Sequence, residues 1–166
     1  MSTGPAAPKL NQKDAEVLEF IATSRWITHQ QLSEVVQIRG IETNRKVFEW
    51  RVRRLAQCGL LKKQRPAFLN RNILYSITRT GIYGLEHIGV HPLSLGADND
   101  DGEIKIKHHI PHSLEINRIR IAMLRSGTLV RWTPGAWIRL LLRAGQKRYA
   151  KVYDAVAAVM VHGEIY

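Results

Sequence analysis

The sequence predicts an α+β chain, and three observations carry that reading. Apolar residues recur at helical spacing in three segments ahead of Gly59, two short alternating runs follow around a polar tip, and a second helix-then-strand pattern begins near Ile110. The chain has 166 residues, 45% of them hydrophobic, enough for one good core or two small ones. Two small domains are expected, because helix and strand patterns start afresh after a polar interval.

Residues 1–10 have no basic segment ahead of an apolar stretch, so they read as a flexible leader rather than a secretion signal, which implies a cytoplasmic location. The longest uninterrupted apolar run, Ala155 to Val161, is too short to cross a bilayer, so no membrane segment is expected. After Asn11, a candidate N-cap, Ala15, Leu18, Ile21 and Ala22 predict a first helix over 13–23. Thr28-His29-Gln30-Gln31 has the form of a capping box and opens a second helix through Leu32, Val35 and Val36, closed near Gly40. A third helix starts near Thr43. At about 100° per residue, Val47, Phe48, Val52, Leu55 and Cys58 share the arc that faces the core, while Lys46, Glu49, Trp50, Arg53 and Gln57 lie opposite with Arg54 at the flank. Cys58 is the only cysteine, which permits no internal disulfide, and it reads as a small apolar residue on the buried side. Leu60 to Arg65 and Ile73 to Ile77 predict a hairpin whose tip is Pro66 to Asn72, and Thr78 or Thr80 caps a fourth helix that ends before Gly89.

The net charge is +11 and the isoelectric point near 10.2. From Arg45 to Arg71 the chain holds nine Lys or Arg and one acid, Glu49. Solvated faces usually mix signs, and this one does not, so a polyanionic partner is expected.

The order Phe48-x3-Val52-x2-Leu55-x3-Gly59-Leu60, a basic hairpin, then Tyr75-Ser-Ile-Thr-x2-Gly81-x3-Leu85 resembles the winged-helix superfamily over Lys13 to Gly89. The resemblance implies that residues 11–90 form a winged helix-turn-helix domain whose third helix enters the major groove of double-stranded DNA. The residues it assigns to DNA are Thr43, Asn44, Arg45, Lys46, Glu49, Trp50, Arg53 and Arg54 on the helix, with Lys62, Lys63, Arg65 and Arg71 on the wing. Arg53 and Lys46 suit guanine edges, Trp50 a thymine methyl or sugar, and Glu49 a cytosine amino group. The wing cations suit phosphates or the minor groove. Dimerisation is expected by analogy with proteins that bind paired half-sites.

Residues 91–107 read as a linker, since Asp98-Asn99-Asp100-Asp101-Gly102-Glu103 carries no apolar residue and lacks the carboxylate spacing of a calcium loop. A small α/β domain is expected over 108–166. Its helix, Ile110 to Leu124, has Leu114, Ile121 and Leu124 on one side and Ile116, Ile119 and Met123 on another, which predicts burial on both sides. A strand over Gly127 to Trp132, an apolar stretch of either type over Trp137 to Leu142, a buried strand over Tyr149 to Val161 and a hairpin turn at His162-Gly163 follow. Only Glu164-Ile165-Tyr166 remain to pair back, so this domain is expected to be truncated. Between Ile104 and Lys151 eleven Lys or Arg face one acid, Glu115. Arg118 and Arg125, two helical turns apart, offer a second phosphate-contacting surface or a seat for an acidic partner.

His112-x-Leu114-x2-Asn117-x2-Arg120-x-Ala122-x-Leu124, then Gly127, Trp132-x-Pro134 and Tyr153-Asp154-Ala155-Val156 before Gly163, resembles the replication-relaxation family of plasmid and integrative-element proteins, which also begin with a winged helix. Two departures stand out: Tyr153 where the family usually has Pro before Asp-Ala, and Gly135 where an acid commonly follows the Trp. A metal-dependent cutting centre would need Asp154 to converge with a later Glu-x-Lys, yet Glu164-Ile165-Tyr166 has no Lys, so Asp154 reads as structural. His108 and His112 lack an obvious third zinc ligand and have Pro111 between them, so they read as a helix-start cluster. No catalytic constellation, metal or cofactor is expected. The function expected is that of a double-stranded DNA-binding protein of a bacterial mobile element, acting in plasmid replication, conjugative transfer or transcriptional control as a homodimer, with protein partners of a replication or transfer complex. Two rivals are a fragment of a metal-dependent nuclease or relaxase, and a winged-helix protein-interaction module.

Overall fold

Asn11 opens the first helix by a reciprocal cap: the Asp14 amide donates to Asn11 Oδ1 at 2.9 Å and the Asn11 amide donates to Asp14 Oδ2 at 3.1 Å. In the computed structural model, which describes residues 9–91, 103–145 and 153–166, this starts α1 (Gln12–Ser24). The strand β1 (Ile27–Thr28) leads into α2 (His29–Ile38), where the Gln31 amide donates to Thr28 Oγ1 at 3.1 Å, completing the capping box the sequence predicts. Then come α3 (Arg45–Gln57), β2 (Leu61–Gln64), a short 3-10 turn over Ala67–Leu69, β3 (Leu74–Ile77) and α4 (Arg79–His87). Thr78, the nearer of the two candidate caps, accepts the Gly81 amide at 3.0 Å.

The three strands form an antiparallel sheet in the order β1-β3-β2, with Leu61 opposite Ile77 and Ile27 opposite Tyr75. The core lies between this sheet and the helices: Phe20 and Ile21 of α1, Leu32 and Val35 of α2, Phe48, Val52 and Leu55 of α3, and Leu85 of α4 are all essentially sealed from water. Apolar burial on this scale, about 1.5–3 kcal/mol for each large side chain, is what holds the four helices on the hairpin.

The helix α5 (Glu103–Arg125) begins inside the stretch expected as linker and carries Pro111 within it rather than at its start. Of its two sides expected to be buried, the first is sealed at Ile110, Leu114 and Ile121, whereas the second is only partly covered, with Ile116 and Met123 half-buried and Ile119 50% exposed. Ile110 and Leu114 pack with Trp26 and Leu74, and Ile121 joins the main core. Two buried amides fasten it further. Asn117 Nδ2 donates to the Trp26 carbonyl at 2.7 Å, and Gln31 Nε2 donates to the Leu114 carbonyl at 2.9 Å. Residues read from sequence as a separate second domain therefore begin by completing the first core.

The remaining elements are β4 (Leu129–Pro134), α6 (Gly135–Arg143), β5 (Ala155–Val161) and β6 (Glu164–Ile165), with a second antiparallel sheet in the order β4-β5-β6. The ambiguous run 137–142 is helical. The strand expected to be buried, β5, is half-buried, and Met160 and Val161 are exposed. His162 and Gly163 form the hairpin turn with φ of 52° and 85°, the positive pair that a tight hairpin requires. Among the described residues, six α-helices, most of them N-terminal, beside two small antiparallel sheets make the fold α+β, as the sequence predicts. Residues 98–102 of the acidic run, Tyr149 to Val152 of the expected strand and most of the expected leader lie outside the described residues.

Candidate nucleic-acid interface

Asn44 sets where α3 begins. Its Oδ1 accepts the Lys46 and Val47 amides at 2.9 and 3.3 Å, so this side chain serves as the helix cap. Thr43 precedes it on the surface. From there the helix turns Phe48, Arg51, Val52 and Leu55 inward and leaves Arg45, Lys46, Glu49, Trp50 and Arg53 outward.

Arg51 is the surprise on the inner face. Its Nη1 lies 2.5 Å from Asp14 Oδ1 and 3.3 Å from Asn11 Oδ1, and its Nη2 lies 3.4 Å from Glu42 Oε2. Arg54 Nη2 meets the other Asp14 oxygen at 2.5 Å. Burial alone would push the Asp14 carboxyl up. The hydrogen bonds from Arg54, the Asn11 amide and Arg51 outweigh it and hold this carboxyl below the usual range. Two of the nine cations counted in sequence are thus tied to one buried acid, and Arg54, an expected DNA contact, is one of them. A third, Arg45, donates to Glu49 Oε1 at 2.9 Å. The six that remain, Lys46, Arg53, Lys62, Lys63, Arg65 and Arg71, are all exposed, and no carboxylate of the described residues pairs with them.

Five of these six border two neighbouring depressions, and Lys62, next to Lys63 on β2, lines neither. A groove of about 640 Å³ runs between α3 and the hairpin, with Lys46, Trp50 and Arg53 on the helix side, Lys63 on the strand side, and His29, Ile73 and Tyr75 among its other walls. Trp50 is 50% exposed, with the Arg54 guanidinium 5.3 Å from its ring centre. At the floor, His29 Nδ1 and the Tyr75 hydroxyl are 3.0 Å apart, and the imidazole packs against Phe48. Burial first, then the Arg45 and Lys63 cations, hold the His29 imidazole below its ordinary range against the opposing Glu49 carboxylate. Burial likewise pushes the Tyr75 phenol up to about 12. A second depression, of about 420 Å³, shares His29 and Ile73 with the first and carries Arg65 and Arg71 beyond the hairpin. The arrangement is an exposed aromatic and five uncompensated cations along two adjoining depressions with a neutral floor, suited to holding an extended anion.

A family model described as replication-relaxation matches residues 18–166, covering both halves of the chain. The chain belongs to the replication-relaxation family. No curated protein and no solved structure matches it.

Elsewhere in this replication-relaxation protein three arginines of α5 are engaged. Arg118 pairs with Glu115 at 2.7 Å and Arg125 pairs with Glu34, so the two residues that suggested a second phosphate surface are each matched by an acid. Arg120 is buried: its Nη1 donates to Thr23 Oγ1 at 2.8 Å, its guanidinium lies 3.9 Å from the Phe20 ring centre, and burial pushes it down to about 9. Asp154 Oδ1 meets His112 Nε2 at 3.0 Å, and among the described residues no three His, Cys, Asp or Glu side chains converge on a point. Among the described residues no helix is long and apolar enough to cross a membrane. Cys58 is exposed, which corrects its assignment to the buried face: it is the C-cap of α3, where the helical projection no longer applies. Val47, also assigned to the core arc, is 38% exposed in the first turn of α3. Sequence reading missed Arg51 and His29. The signal for Arg51 was its position about 60° from Phe48 on the helical wheel, well inside the core arc; no sequence signal marked His29, whose neighbours come from a different helix and strand.

Proposed function

We propose that this replication-relaxation protein is a double-stranded DNA-binding protein of a bacterial mobile element, working in the cytoplasm in plasmid replication, conjugative transfer or control of transcription. In this reading α1 to α4 with the hairpin are a winged helix-turn-helix, α3 enters the major groove, and the hairpin is the wing. The observation that supports it best is the set of exposed cations without an acidic partner, Lys46 and Arg53 on α3 and Lys63, Arg65 and Arg71 on the hairpin, which line two adjoining depressions. Arg53 and Lys46 read guanine edges, Trp50 packs on a thymine methyl or sugar, and Lys62, Lys63, Arg65 and Arg71 hold phosphates. Arg45 and Glu49 act as a pair, and Arg54 steadies Trp50 from behind. The protein binds as a homodimer on paired half-sites, recruits replication or transfer proteins, and carries out no catalysis of its own.

The test is a binding titration against salt on DNA recovered by selection from random and host-element fragments. Arg53→Ala is expected to cost about 1–3 kcal/mol on the selected site and little on random DNA. Lys63→Ala should weaken both alike and lower the slope of log affinity against log salt by about 0.9. Equal losses on both DNAs from both substitutions would overturn this division of labour.

A further inference from the structure

The tip of the hairpin is where the surface is hardest to explain by folding alone. Between Leu60 and Thr80 there is no acid, and Arg65 and Arg71 flank the tip, both exposed. Between them Phe68 stands 43% exposed. A single exposed aromatic is ordinary on a protein surface, but this one is not on a slack loop. The Leu69 amide donates to the Pro66 carbonyl at 3.1 Å, Asn70 to Ala67 at 3.2 Å, and Asn72 to Leu69 at 2.9 Å. Leu69, the very next residue, turns inward and packs on the cluster of Trp26, Leu74, Ile110 and Leu114. The turn is completed by two successive non-glycine residues at positive φ, Asn70 at 51° and Arg71 at 58°, a conformation L side chains seldom adopt. Such outliers persist where the surroundings over-determine them, and they gather at functional sites. Here the fold anchors Leu69 inward, and the cost falls on a rigid, cation-flanked tip that presents Phe68 outward.

We propose that Phe68 is an apolar wedge that enters the minor groove of duplex DNA and opens a base step, with Arg65 and Arg71 gripping the phosphates on either side. This rests on the reading of the protein as a DNA binder and adds a mechanical consequence to it. A side chain inserted between base pairs unstacks them and bends the duplex by about 20–90°, usually at a flexible pyrimidine–purine step. Charge decides in favour of nucleic acid over an apolar protein partner, since a ring set between two unpaired guanidinium groups suits a narrow, negatively charged groove.

The experiment uses the full chain and a duplex of about 30 bp with dyes at its ends and 2-aminopurine at TA steps. Wild-type protein should shorten the end-to-end distance and raise the 2-aminopurine emission as the step unstacks. Phe68→Ala should lose both signals and about tenfold in affinity while keeping the salt slope, because no phosphate contact is removed. Phe68→Trp should keep both signals. Full bending and unstacking by Phe68→Ala would overturn the wedge and leave DNA binding standing. Failure of wild-type protein to bind any duplex would overturn the wedge together with the reading beneath it. Thermal melting of each variant separates loss of the contact from loss of the fold.

Discussion

At the scale of single residues, Asp14 governs more of the molecule than any basic side chain. It caps its own helix, and it holds two arginines of α3 across a gap of 37 and 40 positions in the chain. Counting charge along the sequence made Arg51 and Arg54 look available to a partner, because a count ignores which way a helix points each residue. The three-dimensional result is subtraction: Arg45, Arg51 and Arg54 are paired, and six of the nine cations remain outward. Removing one partner from a buried ion network leaves the others unpaired, so Asp14→Asn should cost about 3–5 kcal/mol in urea unfolding at neutral pH. The pH dependence has a definite sign. Because the folded carboxyl titrates below its ordinary value, its contribution is complete above the unfolded pKa of about 4 and declines as pH falls through the lower folded value. Wild-type stability should therefore drop from pH 5 towards pH 2 by more than that of Asp14→Asn, and parallel curves would count against the network.

At the scale of elements, what the sequence disclosed followed from how local each signal is. The starts of α1, α2 and α4 were legible because each is fixed by a side chain bonding within three residues, from Asn11, Thr28 and Thr78. The start of α5 was not, since proline is at home in a first helical turn and Pro111 invited a boundary there. The helix instead runs back to Glu103, about two turns earlier. α6 was equally illegible, because a six-residue apolar run has no distinguishing period. What fixes it is a close approach: the Gly135 amide donates to the Asp154 carbonyl at 2.8 Å, and a Cβ at Gly135 would stand 2.5 Å from the carbonyl oxygens of both Tyr153 and Asp154. Gly135→Ala should therefore cost about 1–3 kcal/mol, the usual penalty of overpacking, through loosened contact between α6 and β5. Unchanged thermal stability would show that the strand can give way without cost.

At the scale of the whole molecule, α5 ties the residues expected as a second domain to the N-terminal core. Periodicity reports which side of a helix is apolar, not what will cover it, and the apolar side of α5 is spent on Trp26, Leu74 and the main core. Burial of Ile110, Leu114 and Ile121 is worth about 1.5–3 kcal/mol for each side chain, a large share of a total stability of about 5–15 kcal/mol. A fragment ending at His91 should then melt at least about 10 °C below the full chain, or lose its cooperative transition in near-ultraviolet circular dichroism. A fragment ending at Gly127 should keep it. A His91-terminated fragment as stable as the full chain would show that α5 merely rests on a self-sufficient unit.

The placement of the tryptophans has an optical consequence. Trp26 is 4% exposed beneath α5, with the Arg25 guanidinium 4.2 Å from its ring centre, whereas Trp50 stands half in water on α3. Trp132 and Trp137 lie half-buried in β4 and α6. Each region of the molecule thus contains its own intrinsic fluorophore in a distinct setting. Versions of the protein retaining only Trp26 or only Trp50 would report separately, without any attached dye, on the seating of α5 and on whatever comes to rest against α3.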